Sequence, residues 1–301
     1  MSAPGSAASQ SQTRRCVAEL SVYQSLWATE RRIVGTPEPR VEERFDRVKA
    51  AGFDGMAIDL GAMSLEAARA VAPNYARSGL RSLLIAFPQS IEDLRPALRF
   101  AKEIDSPFVI VVGQVMPIRV PEMIEVVEAW LEIAVEEAMP IQFETHRNCI
   151  TNDLFATLQL LDAIPQMRLS ADLSHYVVDR EMPCPPPAEM RAMISKVLAR
   201  TDSFQGRVAA RGQIQLPLAF PQNRKWLELF LAWWEEGLLS FASRLGPDAE
   251  AVFLCELGPP DYALTGANGS ELSDRDVESF VLARHAREIW QRVMTGAPQP
   301  A

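Results

Sequence analysis

Short apolar runs alternate along this chain with longer amphipathic stretches, and the alternation repeats eight times. The runs Ala18–Trp27, Phe53–Leu60, Leu80–Phe87, Phe108–Val112, Ile141–Thr145, Arg168–Leu173, Phe204–Ala210 and Ala251–Leu257 read as strands. Most are continuously apolar, the pattern of parallel strands covered on both faces. Between them the apolar spacing widens to three and four residues, as at Met123, Val126, Val127 and Trp130, which predicts helices packing one face on a sheet. Ser90-Ile-Glu-Asp93 and Ser273-Asp-Arg-Asp276 each put a side-chain acceptor at a helix start with an acid three residues on. Pro121 suits a first helical turn, and Gly52, Gly79 and Gly237 stand where a helix could end in a left-handed residue.

Eight strands alternating with eight helices close most simply into a single (β/α)8 barrel, here spanning residues 16–295. The competing α/β layout, a doubly wound open sheet, would bind its ligand at one switch point with a glycine-rich phosphate loop. Neither GxGxxG nor GxxxxGK[ST] occurs. Residues 1–15 are rich in Ser, Ala and Gln without apolar periodicity and are expected to form a disordered tail; residues 296–301 make a short C-terminal tail. The Pro-rich stretch Pro183–Pro187 and the segment Arg211–Asn223 follow strands 6 and 7, on the face where barrels keep their active sites.

Composition narrows the class of protein. Of 301 residues 48% are hydrophobic, enough for a substantial core, but no apolar run approaches the ~18 residues of a membrane span, and no signal peptide is expected in the stretch before the first strand. A net charge of −9 argues against nucleic acid as a partner, since phosphate binding calls for a basic face. The four cysteines form no CxxC and no regular spacing, so a cytoplasmic protein with reduced thiols is expected. Cys149 and Cys184 fall on loops near the acidic strand ends, where a redox role is the less economical reading. His285 reads as a surface or packing residue of the last helix. Trp233-Trp234 pack a helix on the barrel or form a contact within a homo-oligomer.

The candidate chemistry lies at strand ends. Strand 5 reads Ile141-Gln-Phe-Glu144-Thr-His146-Arg147, strand 6 Leu169-Ser-Ala-Asp172-Leu-Ser-His175, and strand 8 Val252-Phe-Leu-Cys-Glu256-Leu-Gly258-Pro259. An ionisable group ending an apolar strand is costly unless a cation or hydrogen bonds compensate it. Three such ends in one barrel would share its mouth. Glu144 and His146, two apart, would project to the same side. The bland explanation is three acids bonded to loop amides, which suits one position better than three in equivalent places. Trp27, ending strand 1, offers an apolar wall at that mouth, with core packing as its alternative.

These residues carry a resemblance. Phe143-Glu144-Thr-His146-Arg147, Asp172-x-x-His175, Glu256-Leu-Gly258 and Phe53-Asp-Gly-Met-Ala-Ile-Asp-Leu60 are similar to the xylose isomerase-like TIM-barrel family of sugar and sugar-phosphate isomerases and epimerases, over nearly the whole chain. The resemblance implies one divalent cation held by Glu144, Asp172, a strand-7 residue and Glu256. The family usually has His on strand 7, where this chain has Gln205. Three carboxylates and an amide make an all-oxygen set that favours Mn²⁺ or Mg²⁺. By the same resemblance Glu144 and Glu256 act as base and acid on a carbon α to a carbonyl. His175 then holds a substrate hydroxyl, Arg207 or Arg211 a distal oxygen, and His146 with Arg147 a substrate anion. The implied activity is a metal-dependent isomerase or epimerase of a small sugar or sugar derivative. A dehydratase or lyase of a keto-sugar or keto-inositol, using the same enolate, is the alternative reaction. A non-catalytic sugar-binding protein that kept the pocket and lost the strand-7 His is the alternative class. Against the metal stands a separate reading, in which Arg207 or Arg211 neutralises the acidic cluster in its place.

Overall fold

Eight parallel strands pair in chain order, and the last returns to the first to close a barrel in the computed structural model, which describes residues 19–33, 35–244 and 250–296. They are β1 (Leu20–Ser25), β2 (Gly55–Asp59), β3 (Arg81–Ala86), β4 (Val109–Val111), β5 (Ile141–Glu144), β6 (Leu169–Ala171), β7 (Thr201–Gly206) and β8 (Ala251–Cys255). Closure runs along β1 and β8, from Leu20 opposite Ala251 to Gln24 opposite Cys255. The expected (β/α)8 TIM barrel is therefore the fold. The expected tail of residues 1–15, and all but Gly296 of the expected tail of residues 296–301, lie outside the described residues.

The helices between the strands are α1 (Val41–Ala50), α2 (Leu65–Val71), α3 (Pro73–Ser78), α4 (Leu94–Glu103), α5 (Val120–Glu136), α6 (Leu154–Ala163), α7 (Leu173–Asp179), α8 (Ala188–Leu198), α9 (Arg224–Arg244) and α10 (Arg275–Thr295). Among the described residues ten replace the expected eight, because the connections after β2 and β6 each hold two. Pro73 starts α3 directly behind α2, and Pro183–Pro187 joins α7 to α8 instead of following β6 directly. Pro121 lies in the first turn of α5, and Gly52 and Gly79 do end helical segments at positive φ.

Gly237 has a different role. It sits inside α9, where a Cβ would come within 2.3 Å of the Phe204 ring on β7. Its missing side chain is what lets α9 lie against the strand, with Trp234 packed edge-on to Phe253 of β8 at 5.1 Å. Trp233 and Trp234 are thus both buried packing residues.

Strand limits differ from the apolar runs in an informative way. β7 spans 201–206 instead of 204–210, because Thr201, Asp202 and Ser203 interrupt the hydrophobic signal but still belong to the strand between β6 and β8. Trp27 does not end β1; it opens a short 3-10 turn, Trp27–Thr29.

The barrel interior is divided. Tyr23, Ala57, Leu83, Ile85, Ile110, Val252 and Leu254 belong to an apolar cluster supplied by β1–β4 and β8. The buried side chains of matching parity on β5–β7 are Gln142, Glu144, Ser170, Ser203 and Gln205. Ser203 Oγ donates to Gln142 Oε1 at 2.6 Å, linking β7 to β5. The polar half of the interior leads up to the strand ends that carry the acids.

Candidate active site at the C-terminal mouth of the barrel

Glu144 is the last residue of β5, Asp172 follows β6 as the N-cap of α7, and Glu256 follows β8. Parallel strands deliver all three to one end of the barrel, and their carboxylate oxygens lie within 4.8 Å of one another. Each is buried. Asp172 is fixed from both sides: Oδ1 accepts from the Ser174 backbone N at 2.9 Å and from Ser174 Oγ at 2.5 Å.

Its other oxygen belongs to Arg207. Nη1 of Arg207 donates to Asp172 Oδ2 at 2.8 Å, Nη2 lies 3.1 Å from Glu256 Oε2, and Nε donates to the Glu256 backbone oxygen at 2.9 Å. The side chain is 1% exposed, and its guanidinium lies over the ring of Tyr262 at 4.8 Å. Arg207 stands two residues beyond Gln205, so both point the same way and the guanidinium lies nearer the mouth.

The balance of charge is visible in the acids. Burial, then the neighbouring Glu256 and Asp172, hold the Glu144 carboxyl well above the usual range, against smaller opposing effects of Gln205 and Arg207. Burial pushes Glu256 up to about 8 despite Arg207 beside it. Asp59, ending β2, is raised to about 6 by burial, although its Oδ1 accepts from the Gly61 amide at 2.6 Å. Arg207 stays charged, since Asp172 and Glu256 outweigh the cost of burying it.

The two histidines are neutral. Burial lowers His146 to about 4, and burial followed by His146 and Arg207 lowers His175 well below its ordinary value. Their rings are 4.1 Å apart. Arg207 Nη1 can only donate to His175 Nε2, at 3.4 Å, which leaves the proton on Nδ1, a buried atom without a partner. Cys149 is buried, and burial pushes its thiol up to about 11, which argues against a redox role for that residue.

A pocket of about 440 Å³ opens above this cluster, and Glu144, Glu256, His146, Arg207 and Trp27 all line it. Trp27 therefore forms a wall, and it meets Tyr262 edge-on at 5.2 Å. Gly258 makes this possible, because a Cβ there would come within 2.2 Å of the Trp27 ring. Asp172, Gln205 and His175 lie fully buried beneath the lining, so His175 does not face the pocket as its expected hydroxyl contact would require. Arg211 is not in the site: it is exposed and pairs with Glu181 at 3.1 Å, because the chain has left the barrel by that point. Asp59 and Tyr262 line the pocket unforeseen. Asp59 carries the same signal as the other acids, a charge ending an apolar strand, whereas Tyr262 sits on a loop that no periodicity marks.

By donor type alone the set suits a hard, oxygen-ligated cation, three convergent carboxylates joined by the Gln205 carboxamide, which is buried with neither Oε1 nor Nε2 in a hydrogen bond of ordinary geometry; two of those carboxylates are already engaged by the Arg207 guanidinium. Glu144, His146 and His175 form a second convergent group.

No family model and no curated protein sequence matches the chain. Solved structures do. A xylose isomerase-like TIM barrel protein from Mycobacterium smegmatis, in complex with magnesium, superposes with a TM-score of 0.58 at 13% identity, over 92% of this chain and 98% of the other. D-allulose 3-epimerase from Methylomonas sp. gives 0.54 at 14% identity, over 92% and 98%. An L-ribulose 3-epimerase gives 0.54 at 12% identity, over 93% and 96%. This chain shares the TIM-barrel fold of these xylose isomerase-like and epimerase structures.

Proposed function

We propose that this chain is an isomerase or epimerase of a small sugar or sugar derivative, working by proton transfer at the carbon next to a carbonyl. The observation that carries the reading is the pair Glu144 and Glu256, delivered by β5 and β8 to one pocket with their carboxylate oxygens within 4.8 Å. Two sugar epimerases of the same fold, at low identity, supply the substrate class.

A sugar entering the pocket would lay an apolar face on Trp27 and place its carbonyl near Arg207. One glutamate then takes the proton from carbon and the other returns one from the opposite side. A Mg²⁺ or Mn²⁺ ion that took the place of the Arg207 guanidinium among Glu144, Asp172, Gln205 and Glu256 would supply Lewis-acid polarisation of the substrate oxygens; with Arg207 in place, that charge is the guanidinium's. Arg207 supplies fixed positive charge where negative charge builds on the carbonyl oxygen, and His146, with Nδ1 bonded to the Arg147 carbonyl, leaves Nε2 to accept from a hydroxyl.

Incubation with small ketoses in D₂O tests the reading. Deuterium should appear at the carbon beside the carbonyl, and Glu144→Gln or Glu256→Gln should abolish it. Loss of water with a new ultraviolet absorbance would point instead to elimination. Tight sugar binding without exchange would mark a non-catalytic sugar-binding protein, a reading that the neutral Gln205 in the cluster favours.

A further inference from the structure

We infer that Arg207 is a tethered cation that holds Asp172 and Glu256 in the place of a divalent ion, so that metal enters this site only by displacing it. The contacts are those of a ligand set closed around a guanidinium. Nη1 takes Asp172 Oδ2, Nη2 faces Glu256 Oε2, Nε takes the Glu256 carbonyl, and the Tyr262 ring covers the face. Such a forked, planar donor is matched to carboxylate oxygens in a way a lysine would not be.

Oxygen accounting supports the same conclusion. Asp172 Oδ1 is already taken by the Ser174 amide and hydroxyl, so the oxygen bonded to Arg207 is the one left for any other cation. Of the two ligand residues that Arg207 does not contact, Gln205 is a neutral amide, which leaves Glu144 as the one free carboxylate with which to attract an ion away from the guanidinium. Position completes the case: Arg207 lines the pocket beside Glu144 and Glu256 while Asp172 and Gln205 lie buried under it, so an ion reaching those two must pass the arginine. Positive charge is thereby built into the chain at the point where a substrate oxygen would be polarised. The inference concerns the cluster itself and holds whichever carbonyl chemistry the pocket performs.

Mn²⁺ titration of the metal-stripped protein, followed by electron paramagnetic resonance without substrate, tests it. Arg207→Met should bind one Mn²⁺ at least about tenfold more tightly than the unaltered chain, since a buried charge no longer competes. Equal affinity of the two proteins, or no binding by the variant, would overturn the inference. Should the methionine variant fail to fold, the unaltered protein still decides. Purified without chelator, it should carry far less than one divalent ion per chain, and EDTA should leave its melting temperature unchanged. A stoichiometric ion with a clear fall in Tm on EDTA would refute the tethered-cation assignment. Neither readout uses turnover, so absence of deuterium exchange with sugars would remove the proposed reaction and leave this result standing.

Discussion

Asp172 and Arg207 meet at 2.8 Å with both side chains fully buried, while the second oxygen of Asp172 caps α7. One carboxylate therefore holds a helix start and a buried charge together. Asp172→Asn keeps an oxygen for the Ser174 amide but turns a donor or a neutral group towards Arg207. Breaking one side of a buried pair typically costs about 3–5 kcal/mol; Glu256 still serves the guanidinium, which places the expected loss near the lower figure. Asp172→Ala should cost about 1 kcal/mol more, through the lost cap. Urea unfolding of both variants checks this, and a neutral effect of the Asn substitution would show that the pair contributes little.

Glu256 and Glu144 should separate stability from chemistry. Glu144→Gln mimics the protonated carboxyl that burial favours there, so melting should stay near that of the unaltered chain; Glu256→Gln keeps an acceptor for Arg207 but weakens that buried pair, so it should lower melting less than Asp172→Asn does. Deuterium exchange into a responsive sugar should fall by about 10²–10⁴, the usual cost of a missing acid or base. Unchanged exchange in Glu256→Gln would show that this residue has no part in proton transfer.

Much of this arrangement is legible in the chain because strand register transmits it. Glu144, Asp172 and Glu256 each end an apolar run, and closing a parallel barrel brings such ends together whatever the helices do. The depth of each residue is not legible. His175 and Gln205 sit below the pocket and Arg207 above them because of side-chain packing, and spacing alone does not distinguish Arg207 from Arg211. β7 begins ahead of its apolar run since Thr201 and Ser203 are polar yet buried, a case where pairing overrides composition.

Asp59 gives the pH dependence its sign. Its folded pKa, raised from 3.8 to about 6, lies above the unfolded value, so between those pH values the folded state binds more protons. Its contribution to stability is therefore favourable below pH ~4 and is lost as pH rises towards ~6. A shift of this size corresponds to about 3 kcal/mol. Asp59→Asn keeps an acceptor for the Gly61 amide. The variant should match the unaltered chain near pH ~4 and exceed it by roughly 2–3 kcal/mol near pH ~8. Urea unfolding giving the same difference at both pH values would show that Asp59 titrates normally.

Gln205 offers the clearest conflict between stability and function. Its amide is fully buried on β7, and neither polar atom makes a hydrogen bond of ordinary geometry, although the side chain lies close enough to Glu144 to favour that carboxylate's charge. An unsatisfied buried polar group costs about 1–3 kcal/mol. Gln205→Met, similar in volume and free of that cost, should therefore stabilise the fold by about 1–2 kcal/mol in urea unfolding. Destabilisation instead would show that the amide serves Glu144 in the resting protein. Gln205→His asks the opposite question, since imidazole is the stronger ligand for transition metals. With Arg207 in place, Gln205→His should improve Mn²⁺ affinity only slightly; combined with Arg207→Met, it should improve it more than either change alone. A large gain from Gln205→His by itself would mean that ligand strength, not the guanidinium, limits metal at this site.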